Sequence, residues 1–78
     1  MLERIRALRE DKDLTQRDLG KVLQVSQSTY SDYENEKLNI PIASLKKLAL
    51  FHGTSIDYLL DLTDNPKPYP RKKKRAGE

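Results

Sequence analysis

Two helix starts stand close together in this chain, and almost no residues separate the end of one helix from the start of the next. Both lie in the stretch from Leu14 to Asn35. Thr15 precedes the first helical pattern and Ser26 the second. Each hydroxyl can accept from the unpaired amides of the turn that follows it. Only Gln24 and Val25 are left as turn residues. Helices joined this tightly cannot lie side by side and have to cross steeply.

The apolar spacing agrees. Leu19, Val22 and Leu23 form one face of the first of these helices, Val25 plugs the turn, and Tyr30 and Tyr33 point inward together from the second. Gly20 falls where the helices come closest, so a small residue has a steric reason there. The outward face of the second helix is then Gln27, Ser28, Ser31 and Asp32. Such a helix-turn-helix presents amides and hydroxyls that can exchange hydrogen bonds with base edges in a major groove.

On these residues the chain resembles the phage-repressor and Cro-type (XRE-type) helix-turn-helix transcription regulators. Leu14-Thr15-Gln16, Leu19-Gly20, the run from Val25 to Thr29 and Glu34-Asn35 carry the likeness. Pro41, Leu45, Leu48-Ala49 and the run from Ser55 to Leu60 extend it downstream. The resemblance implies an all-α fold, a compact five-helix bundle of the lambda-repressor-like DNA-binding type, with the motif at helices 2 and 3. It implies an ion pair between Arg9 and Glu34 that fixes the first helix against the third. It also implies that the last helix supplies a dimer contact. The chain departs from the family at Asp13, Gln24 and Glu36, where glycine is common. A left-handed backbone at Gln24 would cost roughly 1 kcal/mol.

The chain of 78 residues allows one domain with a small core. We expect residues 1–62 to form it and residues 63–78 to be a flexible tail, Pro-rich and then basic. There is no cysteine, hence no disulfide or thiolate metal site. No apolar run approaches the ~20 residues that span a bilayer, and Met1-Leu2-Glu3-Arg4 lacks the apolar core of a signal peptide. A soluble cytoplasmic protein of a bacterium or phage is the expectation. The formal net charge is +3. Arg71, Lys72, Lys73, Lys74 and Arg75 are a third of the 15 basic residues, and removing those five from the +3 leaves the rest at −2. DNA binding therefore has to rest on local placement of charge.

In chain order, Leu2 to Lys12 reads as the first helix, with Leu2, Ile5 and Leu8 inward and Arg4 and Arg6 solvated. Gln16 opens the second, where free amides and the helix dipole favour a phosphate. Arg17 and Lys21 are supplementary phosphate contacts. Gln27 and Ser28 lie in the first turn of the third helix, and a glutamine paired with adenine gives about 1–3 kcal/mol of discrimination. Ser31 shares their face. Asp32 is repelled by phosphates unless it accepts from cytosine, and it can act by rejecting wrong sequences. Tyr30 and Tyr33 fill the core, or one hydroxyl touches a phosphate. Asn35, Lys37 and Asn39 are candidate phosphate ligands.

Pro41 suits the first turn of a fourth helix, whose apolar face is Ile42, Leu45, Leu48, Ala49 and Phe51. Gly53 closes it. Ser55 caps a fifth helix from Ile56 to about Leu62, with Ile56, Leu59 and Leu60 inward and Leu62 and Tyr58 exposed. The basic run either grips phosphates or keeps the protein soluble; nuclear targeting is a third reading.

The leading function is a sequence-specific double-stranded DNA-binding regulator, a repressor that binds a pseudo-palindromic operator as a homodimer. The alternative is a protein-interaction module or antitoxin-like partner of the same fold. No cofactor, metal or membrane is implied. Without a Gly-rich phosphate loop or a metal-ligand cluster, and with His52 the only histidine, enzyme chemistry is excluded.

Overall fold

The computed structural model describes residues 2–68. The basic run and Tyr69-Pro70 lie outside them. Five helices follow one another, with no strand among the described residues: α1 (Glu3–Asp11), α2 (Gln16–Leu23), α3 (Gln27–Glu34), α4 (Ile42–His52) and α5 (Ile56–Leu59). The all-α bundle expected from the sequence is the fold observed.

The starts of the helices follow from local chemistry. The Thr15 hydroxyl accepts from the Asp18 amide at 3.1 Å, and the Asp18 carboxylate accepts from the Thr15 amide at 2.9 Å, a reciprocal capping box. That pairing, with the backbone hydrogen bond first, holds the Asp18 carboxyl below its ordinary pKa. The Ser26 and Ser55 hydroxyls accept from the amides three residues on, each at 3.0 Å. Pro41 is the residue before α4 rather than part of its first turn. Its missing N–H is no loss there, because the first amides of a helix have no intrahelical partner.

All five helices end in the same way. A residue one or two positions past the helix turns left-handed, and two backbone bonds close back over the last turn. The left-handed residues are Asp13 (φ 56°), Gln24 (59°), Glu36 (60°), Gly53 (65°) and Asp61 (62°). In each case the following amide reaches the carbonyl five residues earlier: Leu14 to Arg9, Val25 to Gly20, Lys37 to Asp32, Thr54 to Ala49 and Leu62 to Asp57, at 2.8–3.2 Å. Only α4 uses glycine for this. The closure at Asp61 ends α5 at Leu59, earlier than the expected Leu62; aspartate gave no sequence signal for it.

The core is Ile5, Leu19, Leu23, Tyr30, Tyr33, Leu48, Ala49 and Leu59. Leu2, Leu8, Leu14, Val22, Val25, Ile40 and Ile56 pack around it. The closest packing is between α2 and α3. Three expected core residues are instead exposed: Ile42 (71%), Phe51 (40%) and Leu60 (36%). Periodicity fixes the angular face of a helix, but not how far along its axis a neighbour covers that face.

The chain does not leave the body at Thr63. Arg4, expected in solvent, clamps this region instead. Its guanidinium donates to the Thr63 carbonyl at 2.6 Å, pairs with Asp61 at 2.9 Å and lies 4.1 Å above the Tyr58 ring. Further on, the buried Thr54 hydroxyl donates to the Pro66 carbonyl at 2.6 Å. Residues 63–66 are therefore tied to α1 and to the end of α4. No helix among the described residues is long and apolar enough to cross a membrane.

Candidate nucleic-acid interface

The turn between α2 and α3 sets where the second helix stands. Val25 N–H donates to the Gly20 carbonyl at 2.8 Å. A Cβ at Gly20 would meet the Val25 carbonyl oxygen at 2.9 Å, closer than side-chain carbons come to backbone. The missing side chain is thus what lets the turn fold down on α2. Tyr30 and Tyr33 point into the core, which leaves the opposite side of α3 outward. Gln27 and Ser28 are exposed there, and Ser31 and Asp32 are half-buried.

Behind this face an open cleft of about 580 Å³ separates α1 from the starts of α2 and α3. Arg6, Arg9, Thr15, Gln16, Gln27, Ser31, Glu34 and Asn35 line it, with Leu14. Four of the residues singled out from the sequence (Gln16, Gln27, Ser31 and Asn35) therefore share one concavity. Ser28, Asp32, Arg17, Lys37 and Asn39 do not line it. Arg17, Lys21, Lys37 and Asn39 are exposed on the protein surface, and Asn39 lines a separate groove with Leu2, Leu38 and Leu60.

The cleft floor is a hydrogen-bonded network. The Arg9 guanidinium grips both Glu34 oxygens, Nε at 2.7 Å and Nη2 at 3.2 Å, and donates to the Leu14 carbonyl at 2.9 Å. Gln16 Nε2 donates to the same carboxylate at 3.3 Å. The pair is nearly dry, with side chains 11% and 2% exposed. Burial by itself would raise the Glu34 carboxyl; the hydrogen bond from Arg9, then the neighbouring Tyr30 hydroxyl and Gln16, outweigh it and hold the group below its ordinary pKa. The hydrogen bond to Glu34 raises Arg9 in turn. The buried Tyr30 hydroxyl lies beside Glu34 without a well-formed hydrogen bond. Burial and that carboxylate push its ionisation far above the ordinary tyrosine value. Leu2 N–H donates to the Glu34 carbonyl at 2.8 Å, so α1 is tied to the end of α3 by backbone as well as by charge.

Two details were not legible beforehand. Asn35 Nδ2 donates to Ser31 Oγ at 3.3 Å, so Asn35 orients Ser31 across the end of α3. The Ser26 hydroxyl donates to Thr29 Oγ1 at 3.0 Å, which holds the first turn of α3 rigid. Neither pairing follows from spacing alone, because each side chain had several partners within reach.

No group of three or more histidine, aspartate or glutamate side chains among the described residues is placed to hold a metal ion. Both ring nitrogens of His52 are buried without a hydrogen-bond partner. Its pKa falls to about 4, chiefly by burial and secondarily through the Lys12 charge.

Comparison with known proteins agrees with this geometry. Residues 5–59 match the family described as Helix-turn-helix. Over 71 residues, 91% of this chain, the sequence is 37% identical to an uncharacterised HTH-type transcriptional regulator, YobD, of Bacillus subtilis (strain 168). The match spans 63% of that relative's length. The matched region runs from the core residue Ile5 to the core residue Leu59 and holds the capped helix pair and its turn, and on that ground the chain belongs to the XRE/Cro-type helix-turn-helix family.

Proposed function

We propose that the protein is a sequence-specific double-stranded DNA-binding transcription regulator without enzymatic activity, acting in the cytoplasm of a bacterium or of a phage-infected cell. The observation that carries this is the exposed start of α3. Gln27 and Ser28 project from a helix whose inner face is locked by two core tyrosines. In this reading Gln27, Ser28, Ser31 and Asp32 meet base edges. Gln16, Arg17, Asn35, Lys37 and Asn39 meet phosphates, which supply affinity and register but no sequence information. Two copies would set their α3 helices in successive major grooves, about 34 Å apart. Repression follows from occupying the promoter. A mainly apolar groove lined by Leu2, Leu38, Ile40, Leu45 and Leu60, together with Glu36 and Asn39, supports self-association beside α5.

Selection from a random double-stranded DNA pool, with wild type and Gln27→Ala side by side, tests the reading. We expect a two-fold symmetric site for wild type and relaxed preference at one base position per half-site for the variant. Folded wild-type protein that enriches nothing would refute it. The second reading, an antitoxin-like or other protein-interaction module, is favoured by Asp32, a carboxylate half-buried on the outward side of α3. Under that reading, partner binding would survive high salt while DNA affinity would be weak throughout.

A further inference from the structure

We infer that the outward face of α4 is a docking surface for another protein, one that presents an acidic amphipathic helix. The inference goes beyond the DNA-binding reading and does not depend on it. α4 packs against α2 and α5, with Leu48 and Ala49 in the core. Its other side is exposed along the whole helix: Ile42, Ala43, Lys46, Lys47, Leu50 and Phe51. None of these six lines the cleft beside α3. The outer face of an ordinary surface helix is polar. Here only the two lysines are, and Ile42 and Leu50 stand 71% and 58% exposed. Contiguous exposed apolar side chains of this kind mark interaction surfaces.

The pattern of the face says what covers it. At four-residue spacing the side chains form two neighbouring rows, Ile42, Lys46, Leu50 in one and Ala43, Lys47, Phe51 in the other. Each row is apolar at both ends with a lysine in the middle. The lysine stems continue the apolar surface while their ammonium groups stay in water. Neither ammonium has an ion-pair partner among the described residues. Phe51 is already held against the His52 ring, at 79° with centroids 5.1 Å apart, so little freedom is lost in fixing it on a partner. A second copy packed through the same face across a two-fold axis would set lysines against lysines, which is repulsive. Residues 69–78 carry Arg71 to Arg75, of the same sign as Lys46 and Lys47, and do not fit either. A helix that lies on a membrane keeps its lysines on the polar face, whereas these stand within the apolar one. The occupant that matches is a protein helix with carboxylates set among large apolar side chains.

The experiment selects short helical peptides, displayed on yeast and randomised on one face, for binding to the full chain. We expect enriched peptides to set Asp or Glu between Leu, Ile, Met or Phe one helical turn apart. Joint Lys46→Glu and Lys47→Glu substitution should weaken a selected peptide by about tenfold or more. The same peptide with its carboxylates changed to lysine should bind that variant and not wild type. Leu50→Ser should weaken binding as well. Circular dichroism and Tm check that the variants fold, and all three positions are exposed. No enrichment, enrichment without carboxylates, or undiminished binding to the charge-reversed variant overturns the inference. Tighter binding to phosphatidylglycerol vesicles than to any peptide, lost in Leu50→Ser, would make the face a membrane contact and overturn it. A homodimer that dissociates in Leu50→Ser, seen by analytical ultracentrifugation, would assign the face to a second copy instead. A lower salt slope of duplex binding in the joint Lys46→Gln and Lys47→Gln variant would assign the lysines to phosphates, again overturning it. Wild type that binds peptide but no duplex refutes the DNA-binding reading and leaves this inference standing.

Discussion

Gly20 and Val25 are locked together: the Val25 amide donates to the Gly20 carbonyl at 2.8 Å, and a Cβ on Gly20 would stand 2.9 Å from the Val25 carbonyl oxygen. Both contacting groups are backbone, so a side chain at position 20 can be fitted only by moving the turn. Gly20→Ala is expected to destabilise the protein by about 1–2 kcal/mol. The strain of overpacking exceeds what alanine gains in helix propensity. Urea denaturation should show a lower midpoint with an unchanged m-value. A variant as stable as wild type would mean that the turn has slack the structure does not show.

Arg9 and Glu34 form the other tie across the domain. Removing one partner leaves a charge buried without compensation, which typically costs about 3–5 kcal/mol. Arg9→Met and Glu34→Leu singly should each lose several kcal/mol, and the double variant should recover a large part of the loss. Strictly additive losses in this cycle would show that the two side chains do not interact. The Glu34 pKa is lowered in the fold. Its contribution is accordingly complete above the ordinary carboxylate pKa, and it is lost as pH falls through the folded value.

The repeated left-handed closures make a prediction of opposite sign. Gln24 at φ 59° and Glu36 at φ 60° hold conformations that disfavour side chains. Gln24→Gly should stabilise by about 0.5–1 kcal/mol, as relief of the left-handed penalty exceeds the added flexibility of the unfolded chain. Thermal unfolding would register this as a higher Tm. A drop in Tm would mean that the Gln24 side chain holds the turn by contacts that outweigh its backbone cost.

His52 should make stability depend on pH in mildly acidic solution. Its folded pKa of about 4 lies below the ordinary 6.5, so the unfolded chain binds the proton first. The neutral ring supports the fold fully above about pH 6.5, and that support is lost as pH falls toward 4. We expect a loss on the order of 1–2 kcal/mol over this window, discounted because the ring is only partly buried. His52→Gln should flatten the profile over the same range. Equal slopes for the two proteins would assign the effect to other groups.

The helix-turn-helix was legible in the sequence because its determinants are local. Thr15 and Ser26 cap their helices through amides three residues away, and the spacing of Leu19, Leu23, Tyr30 and Tyr33 marks the buried side of both. The Arg9–Glu34 pair came only through the family resemblance, since nothing in the spacing of residues so far apart in sequence requires them to meet. The structure brings them to 2.7 Å.

The sequence by itself determined where helices start, which face of each turns inward, and that position 20 needs a small residue. These depend on hydroxyl caps, helical period and sterics within a few residues. Only the tertiary structure decided that Ile42, Phe51 and Leu60 stay exposed, that Arg4 holds residues 61–64, and that Arg9 is neutralised while Arg6 faces the cleft. Those outcomes depend on how far each helix overlaps its neighbours and which charges that overlap leaves dry. Burial of this kind is set by the whole assembly of helices, and no short window of residues encodes it.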